Sequence, residues 1–260
     1  MPFRESNGLR YWSFESFPSS VLHGVISRRG GVSPAPWESL NVGGTVGDDK
    51  ARVRENRFRS FSAFERDLAS IHDVWQVHSA DAVFADAPIA PGAALTQADI
   101  ILTDRPEVTL YMRFADCVPV LLHDPAKQVI GIAHAGWLGT VRGVARAAVE
   151  AMHRRYGSRP ADILAGIGPS IGPDHYEVGP DVTARVERAF GQDAGSLIES
   201  RGGRTYFDLW AANRLELQRA GVVHIESSGI CTACHLEDWF SHRAEKGKTG
   251  RFGALMALQA

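Results

Sequence analysis

The sequence predicts an α+β fold, with mixed β-sheets forming a central sandwich-like core flanked by helices in a single domain, residues 1–260. Three observations lead there. Short apolar, β-branched runs recur along the chain, several separated only by tight turns such as Asp124-Pro125. Such closely spaced strands pair antiparallel or in mixed sheets. Helical periodicity is confined to a few segments between the strand clusters, so the order is not a regular βαβ alternation.

The strands, in chain order, are Val21–Ile26, the alternating Asp73–His78, Ile100–Leu102, Val108–Phe114, Val118–Leu122, Val129–Ala133, Ile163–Ile167, Val222–Ile225 and Phe252–Leu258. A first helix is expected to begin at Asp48 or Asp49, whose carboxylates suit a cap, and to run through Val53, Asn56 and Phe58. The clearest helix spans Thr140 to Tyr156. Val141, Val144, Ala145, Ala148, Val149 and Met152 form one apolar stripe, and Gly157 stops it. A third helix starts after Asp208 and ends at Gly221. Asp86–Gln97 and the Gly-rich, polar Gly191–Arg204 read as loops.

Composition removes several function classes. With 28 Lys+Arg against 30 Asp+Glu the net charge is −2, so the basic surplus of a dedicated nucleic-acid binder is missing. Three cysteines cannot build a disulfide scaffold and leave at least one thiol free, which favours a reducing compartment. The first residues carry no apolar h-region, and no run approaches ~18 apolar residues. The expectation is a cytoplasmic, soluble protein without membrane or nucleic-acid partners.

Three residues stand where strands are expected to end: His78, Cys117 and His134. Two imidazoles and a thiolate that converge through the fold leave a fourth metal position open, the form of a catalytic zinc site. Such a metal lowers the pKa of bound water towards neutrality. From spacing alone the plainer reading is favoured: a buried thiol and satisfied strand-end histidines. Gly136 and Gly139 after His134, and Gly166 to Pro173, mark tight turns able to approach a ligand. Cys231-Thr232-Ala233-Cys234-His235 matches a haem-attachment spacing, and with His242 it also matches a zinc spacing; a loop facing substrate, or plain structure, is favoured over both. Ser241-His242-Arg243 and Gly250-Arg251 suit an anion.

Taken in order, the motifs resemble a known family. They are Gly31-Val32-Ser33, Ser39-Leu40-Asn41-Val42-Gly43, Val46-Gly47-Asp48-Asp49, Asn56-Arg57, Gln76-Val77-His78, Ala98-Asp99, Ala115-Asp116-Cys117 and His134-Ala135-Gly136-Trp137. Gly168 to Gly172, Tyr176 to Gly179, Cys231-Thr232, Ser241-His242-Arg243 and Thr249-Gly250-Arg251 complete the series. The chain resembles the multicopper polyphenol oxidase (laccase) domain family, also called peptidoglycan editing factor and purine nucleoside phosphorylase, from about His23 to Leu258.

The resemblance implies zinc on His78, Cys117 and His134, reversing the plainer reading, with copper as a second metal the donors accept. It implies phosphorolysis of adenosine, inosine and methylthioadenosine, and deamination of adenosine. The expected partners are a purine nucleoside and phosphate, and the chain is expected to be a monomer or homodimer. Asp116 is expected to shuttle a proton. Arg57, His242 or Arg251 would hold phosphate, and Asn41 and Gln76 would hydrogen-bond sugar or base. The chain departs from the family pattern at Leu138, where an arginine is usual, so Arg142 or another cation is expected to substitute. It departs again at Asp174-His175, where a cysteine often precedes the tyrosine.

Two rival activities follow from the same residues. Copper-dependent polyphenol oxidation calls for many ligands, typically as His-x-His pairs, yet none of the 10 histidines forms such a pair. A hydrolase acting on peptidoglycan precursors would use Cys117 as nucleophile and His134 as base, or a metal.

Overall fold

The computed structural model describes residues 3–259. The chain begins with β1 (Phe3–Ser6), β2 (Leu9–Trp12) and β3 (Val21–Ile26), and α1 (Lys50–Ser62) follows. Next come β4 (Ile71–His72), β5 (Ala82–Phe84), β6 (Ile100–Thr103), β7 (Thr109–Phe114), β8 (Val118–Asp124) and β9 (Val129–Ala135). Then follow α2 (Trp137–Val141), α3 (Val144–Tyr156), β10 (Leu164–Ile167), β11 (Glu177–Val178), α4 (Pro180–Phe190) and α5 (Ala194–Leu197). The last elements are β12 (Ile198–Arg201), β13 (Arg204–Phe207), α6 (Leu209–Arg219), β14 (His224–Ser227) and β15 (Phe252–Leu258).

Two six-stranded sheets carry the fold, in the orders β1-β2-β3-β15-β7-β4 and β14-β10-β8-β9-β6-β5. Each mixes antiparallel pairs with one or more parallel ones, as β4–β7 and β5–β6 show. A small sheet, β11-β13-β12, stands apart. Apolar side chains alternate between the faces, so each sheet buries both. Val25, Met112, Phe114, Phe252 and Met256 from the first sheet pack with Leu121, Ile130 and Ile132 from the second. The outer face of the first sheet packs Ile26, Tyr111 and Leu255 under Phe61 of α1. The outer face of the second packs Val118, Val120 and Val129 under α3 and α6. The result is a four-layer helix–sheet–sheet–helix sandwich, as the strand and helix patterning predicts.

Helix boundaries follow their caps. The Asp49 carboxylate accepts from the Ala51 and Arg52 amides at 2.9 and 3.1 Å, and Asp208 accepts from Ala211 at 2.9 Å. Gly157 closes α3 in the left-handed region. Val144, Ala148, Val149 and Met152 are fully buried, and each large apolar side chain contributes roughly 1.5–3 kcal/mol.

Three expectations are corrected. The stripe from Thr140 to Tyr156 is not one helix: Gly143 takes φ +76° and divides it into α2 and α3. Asp73–His78 is not a strand. The buried Asp73 carboxylate turns to the Arg113 guanidinium and the Val74 amide, drawing the backbone off the ladder. Gln76 then supplies side-chain contacts where main-chain ones would stand, donating to Arg113 O at 2.8 Å and accepting from Arg113 N at 3.1 Å. Gly191–Arg204 is not a plain loop. It holds α5 and β12, and Gly202-Gly203, both at positive φ, turn β12 into β13.

Candidate active site

The sandwich brings His78, Cys117 and His134 together from both sheets. Cys117 lies in the short link from β7 to β8, which crosses from the first sheet to the second. His134 is on β9, opposite Pro119 of β8. His78 follows β4 in a loop and takes φ +57°, an unusual conformation for a non-glycine residue. One donor atom from each residue lies within 4.8 Å of the others.

Asp99, directly before β6, holds this arrangement and is fully buried. One carboxylate oxygen accepts from His134 Nδ1 at 2.8 Å. The other accepts from the Val77 and Ser79 amides at 3.1 and 2.6 Å, fixing the loop on both sides of His78. The His78 carbonyl accepts from Arg142 at 2.9 Å. With Nδ1 committed to Asp99, Nε2 is the His134 nitrogen left for Cys117 or a metal.

The electrostatics follow from this chain. Burial opposes ionisation of Cys117, but the charge and hydrogen bond of His134, joined by His78, outweigh it and lower the thiol to about 6. Burial likewise opposes charge on His134, yet Cys117 and Asp99 raise it to about 9. Burial works against the Asp99 anion too, and its hydrogen bond to His134 prevails and lowers the carboxyl.

Gly136 leaves room for the three side chains. A Cβ there would stand 2.6 Å from His78 Cδ2 and 2.9 Å from Cys117 Sγ. Two imidazoles and a thiolate around such a space are the borderline-soft set that zinc takes in open, catalytic sites, and copper accepts the same donors.

The three residues sit in a cleft of about 640 Å³. Trp75, Trp137 and Tyr176 give it aromatic surface; Arg57, Arg113, Arg243 and Arg251 give it cations, and His242 adds an imidazole. Arg57 and Arg113 share the Asp73 carboxylate. Arg251 differs. Its guanidinium donates only to the Thr249 and Gly250 carbonyls, with no carboxylate within 4 Å among the described residues. Burial pulls it below the ordinary arginine value.

The structure gathers Asp116, Arg57, Gln76, His242 and Arg251 around His78, Cys117 and His134. Asp116, at φ +79°, accepts from Thr232 Oγ1 at 2.7 Å and from the Arg243 amide at 2.6 Å. Asn41 stands behind the wall, fully buried. It donates to Asp48 at 2.9 Å and accepts from the Arg251 and Gly43 amides at 2.8 and 2.9 Å. It positions Arg251 and does not line the cleft. Neither Leu138 nor Arg142 lines it either. Cys231 and Cys234 do not meet His235 or His242: His235 turns to Glu237 at 3.1 Å. Sequence reasoning gave no role to Trp75, Arg113 and Tyr176 in the cleft wall, nor to Asp99 behind it. The signal for Asp99 was a carboxylate directly before the apolar run Ile100-Ile101-Leu102.

Comparison with known proteins identifies the family. Residues 22–259 match the sequence model of a family described as multi-copper polyphenol oxidoreductase laccase. The chain belongs to this family. A relative from Deinococcus radiodurans named purine nucleoside phosphorylase is 40% identical over 239 residues, covering 92% of this chain and 90% of that protein. Purine nucleoside phosphorylase YlmD of Bacillus subtilis is 37% identical, covering 92% and 89%. Among solved structures of this laccase-like family, YlmD from Geobacillus stearothermophilus superposes with a TM-score of 0.93 at 33% identity, covering 100% of this chain and 99% of that one.

Proposed function

We propose that this chain is a metal-dependent purine nucleoside phosphorylase that also deaminates adenosine. The observation that carries the reading is Arg251, a cation without a carboxylate partner, facing the same cleft as the His78–Cys117–His134 centre. The relatives' names supply the substrate class. A cleft of this volume is in the usual range for a nucleoside-sized ligand.

In this reading Trp75 and Tyr176 stack the purine, since flat apolar faces bind a base regardless of its edge pattern. Arg251, with Arg57 and His242, holds phosphate so that its oxygen reaches C1′ of the ribose as the base leaves. Adenosine, inosine and methylthioadenosine share that bond. Gln76 keeps the cleft edge in register through its bonds to Arg113. His78, Cys117 and His134 hold zinc, which when bound supplies Lewis-acid polarisation of a substrate or water oxygen. Asp116 carries the proton for deamination, because a carboxylate accepting two hydrogen bonds keeps further lone pairs.

The test is incubation of zinc-loaded protein with adenosine, with and without phosphate. Phosphate-dependent adenine supports phosphorolysis, and phosphate-independent inosine supports deamination. The absence of both overturns the reading.

A second reading rests on a specific observation. Cys117, lowered to about 6 beside a histidine that Asp99 orients, also has the form of a nucleophile–base–carboxylate set. Peptide or amide hydrolysis that survives complete metal removal would favour it. Copper-dependent phenol oxidation finds less support, since this centre offers three nitrogen and sulfur donors for one ion.

A further inference from the structure

The Cys231–Cys234 pair that the cleft leaves unused lies against the loop preceding Tyr176. Four donors meet there: Asp174, His175, Cys231 and Cys234, with one atom of each within 4.8 Å of the others. His175 Nδ1 is 3.8 Å from Cys231 Sγ and 3.5 Å from Cys234 Sγ. An Asp174 oxygen is 3.9 Å from Cys234 Sγ and 3.1 Å from His175 Nδ1. A tetrahedral zinc with ordinary Zn–S, Zn–N and Zn–O bonds separates its ligand atoms by about 3.3–3.8 Å. The four distances fall within a few tenths of an ångström of that range.

The surrounding backbone is shaped for the cluster. The Gly172 amide donates to Cys231 Sγ at 3.2 Å, the contact that orients and stabilises a ligating thiolate. A Cβ at Gly172 would stand 2.8 Å from an Asp174 oxygen and 3.2 Å from Cys231 Sγ. The His175 and Tyr176 amides both return to the Gly172 carbonyl at 3.1 Å, folding the acidic and imidazole donors back onto the sulfurs. All three cysteines of the chain are free thiols.

We propose that Asp174, His175, Cys231 and Cys234 form a second metal site that takes one zinc-class divalent cation. Four protein donors leave no open position, so the site is structural and not catalytic. Two thiolates and an imidazole select a borderline-soft ion over magnesium or calcium. The ion joins two loops that are distant in sequence. One ends in Tyr176, and the other carries Thr232, which bonds Asp116 at 2.7 Å. Binding there therefore braces one wall of the catalytic cleft without touching substrate.

The experiment counts metal in the full-length protein loaded with zinc and freed of excess by gel filtration. The expected stoichiometry is two per chain, falling to one in Cys234→Ser, one in Cys117→Ser and none in the double variant. Cys234 and Asp174 are exposed, so Cys234→Ser and Asp174→Asn keep the fold, which circular dichroism verifies. With cobalt as the probe, Cys117→Ser retains a near-ultraviolet thiolate charge-transfer band that adding Cys234→Ser removes. A metal count that Cys234→Ser leaves unchanged, or a Cys231–Cys234 disulfide formed in place of metal binding, overturns the proposal.

Discussion

Replacing Asp99 by asparagine tests the logic of the centre without changing any residue that touches substrate. The carboxylate accepts three hydrogen bonds, from His134 Nδ1, Val77 N and Ser79 N. Asparagine offers one oxygen, so both sides cannot be served. If the oxygen stays with the two amides, the new NH2 group faces His134 Nδ1. The ring then moves its proton to Nε2 and loses the lone pair it presents to a metal. If the amide turns over, the NH2 group opposes two backbone N–H groups. Losing a hydrogen bond to a charged group costs about 1.5–3 kcal/mol. For partners of metal-ligating histidines this corresponds to about 10–100-fold weaker metal binding, or roughly 1.4–2.8 kcal/mol. The assay is zinc competition against a chromophoric chelator, with circular dichroism to confirm folding. A folded Asp99→Asn protein with wild-type zinc affinity refutes the assignment of Asp99 as the group that orients His134.

Further outcomes are expected. Gly136→Ala places a methyl group against His78 and Cys117, so it loses most bound metal in elemental analysis, whereas Gly195→Ala, with nothing within 4 Å, does not. Arg251→Gln raises KM for phosphate about 10-fold or more and leaves adenosine deamination nearly unchanged in steady-state assays. His23, held neutral by burial at about 4 against 6.5 in the unfolded chain, binds its proton only on unfolding between those values. Stability is therefore full above pH 6.5 and falls as pH drops to 4, by about 3 kcal/mol in all. Urea unfolding at several pH values measures this loss, and His23→Gln removes that part of the slope.

Local signals were the legible ones. Asp49 and Asp208 are caps that act on the next three residues, and both helices start where the carboxylates place them. The β7–Cys117–β8 link was legible because apolar runs flank it closely. What failed depends on partners distant in the chain. The alternation in Asp73–His78 looks like a strand, but Asp73 and Gln76 answer to Arg113, 37 to 40 residues away. The apolar stripe of α3 extends through Val141 into α2, hiding the break at Gly143, although the glycine itself was visible. Asp99 was visible as a motif residue, but its role required three donors from two other segments. The four donors around Cys231 come from two loops with no fixed spacing between them.

The β7–β8 link has a thermodynamic consequence. Because Cys117 lies between the sheets while His78 follows a strand of one and His134 belongs to the other, an ion held by all three acts as a rivet through both layers. Separating the sheets dismantles the centre, so unfolding must release the ion. Free metal at a thousand times its dissociation constant would then add about 4.1 kcal/mol to the folded state. The melting temperature of the protein becomes a gauge of the metal concentration around it.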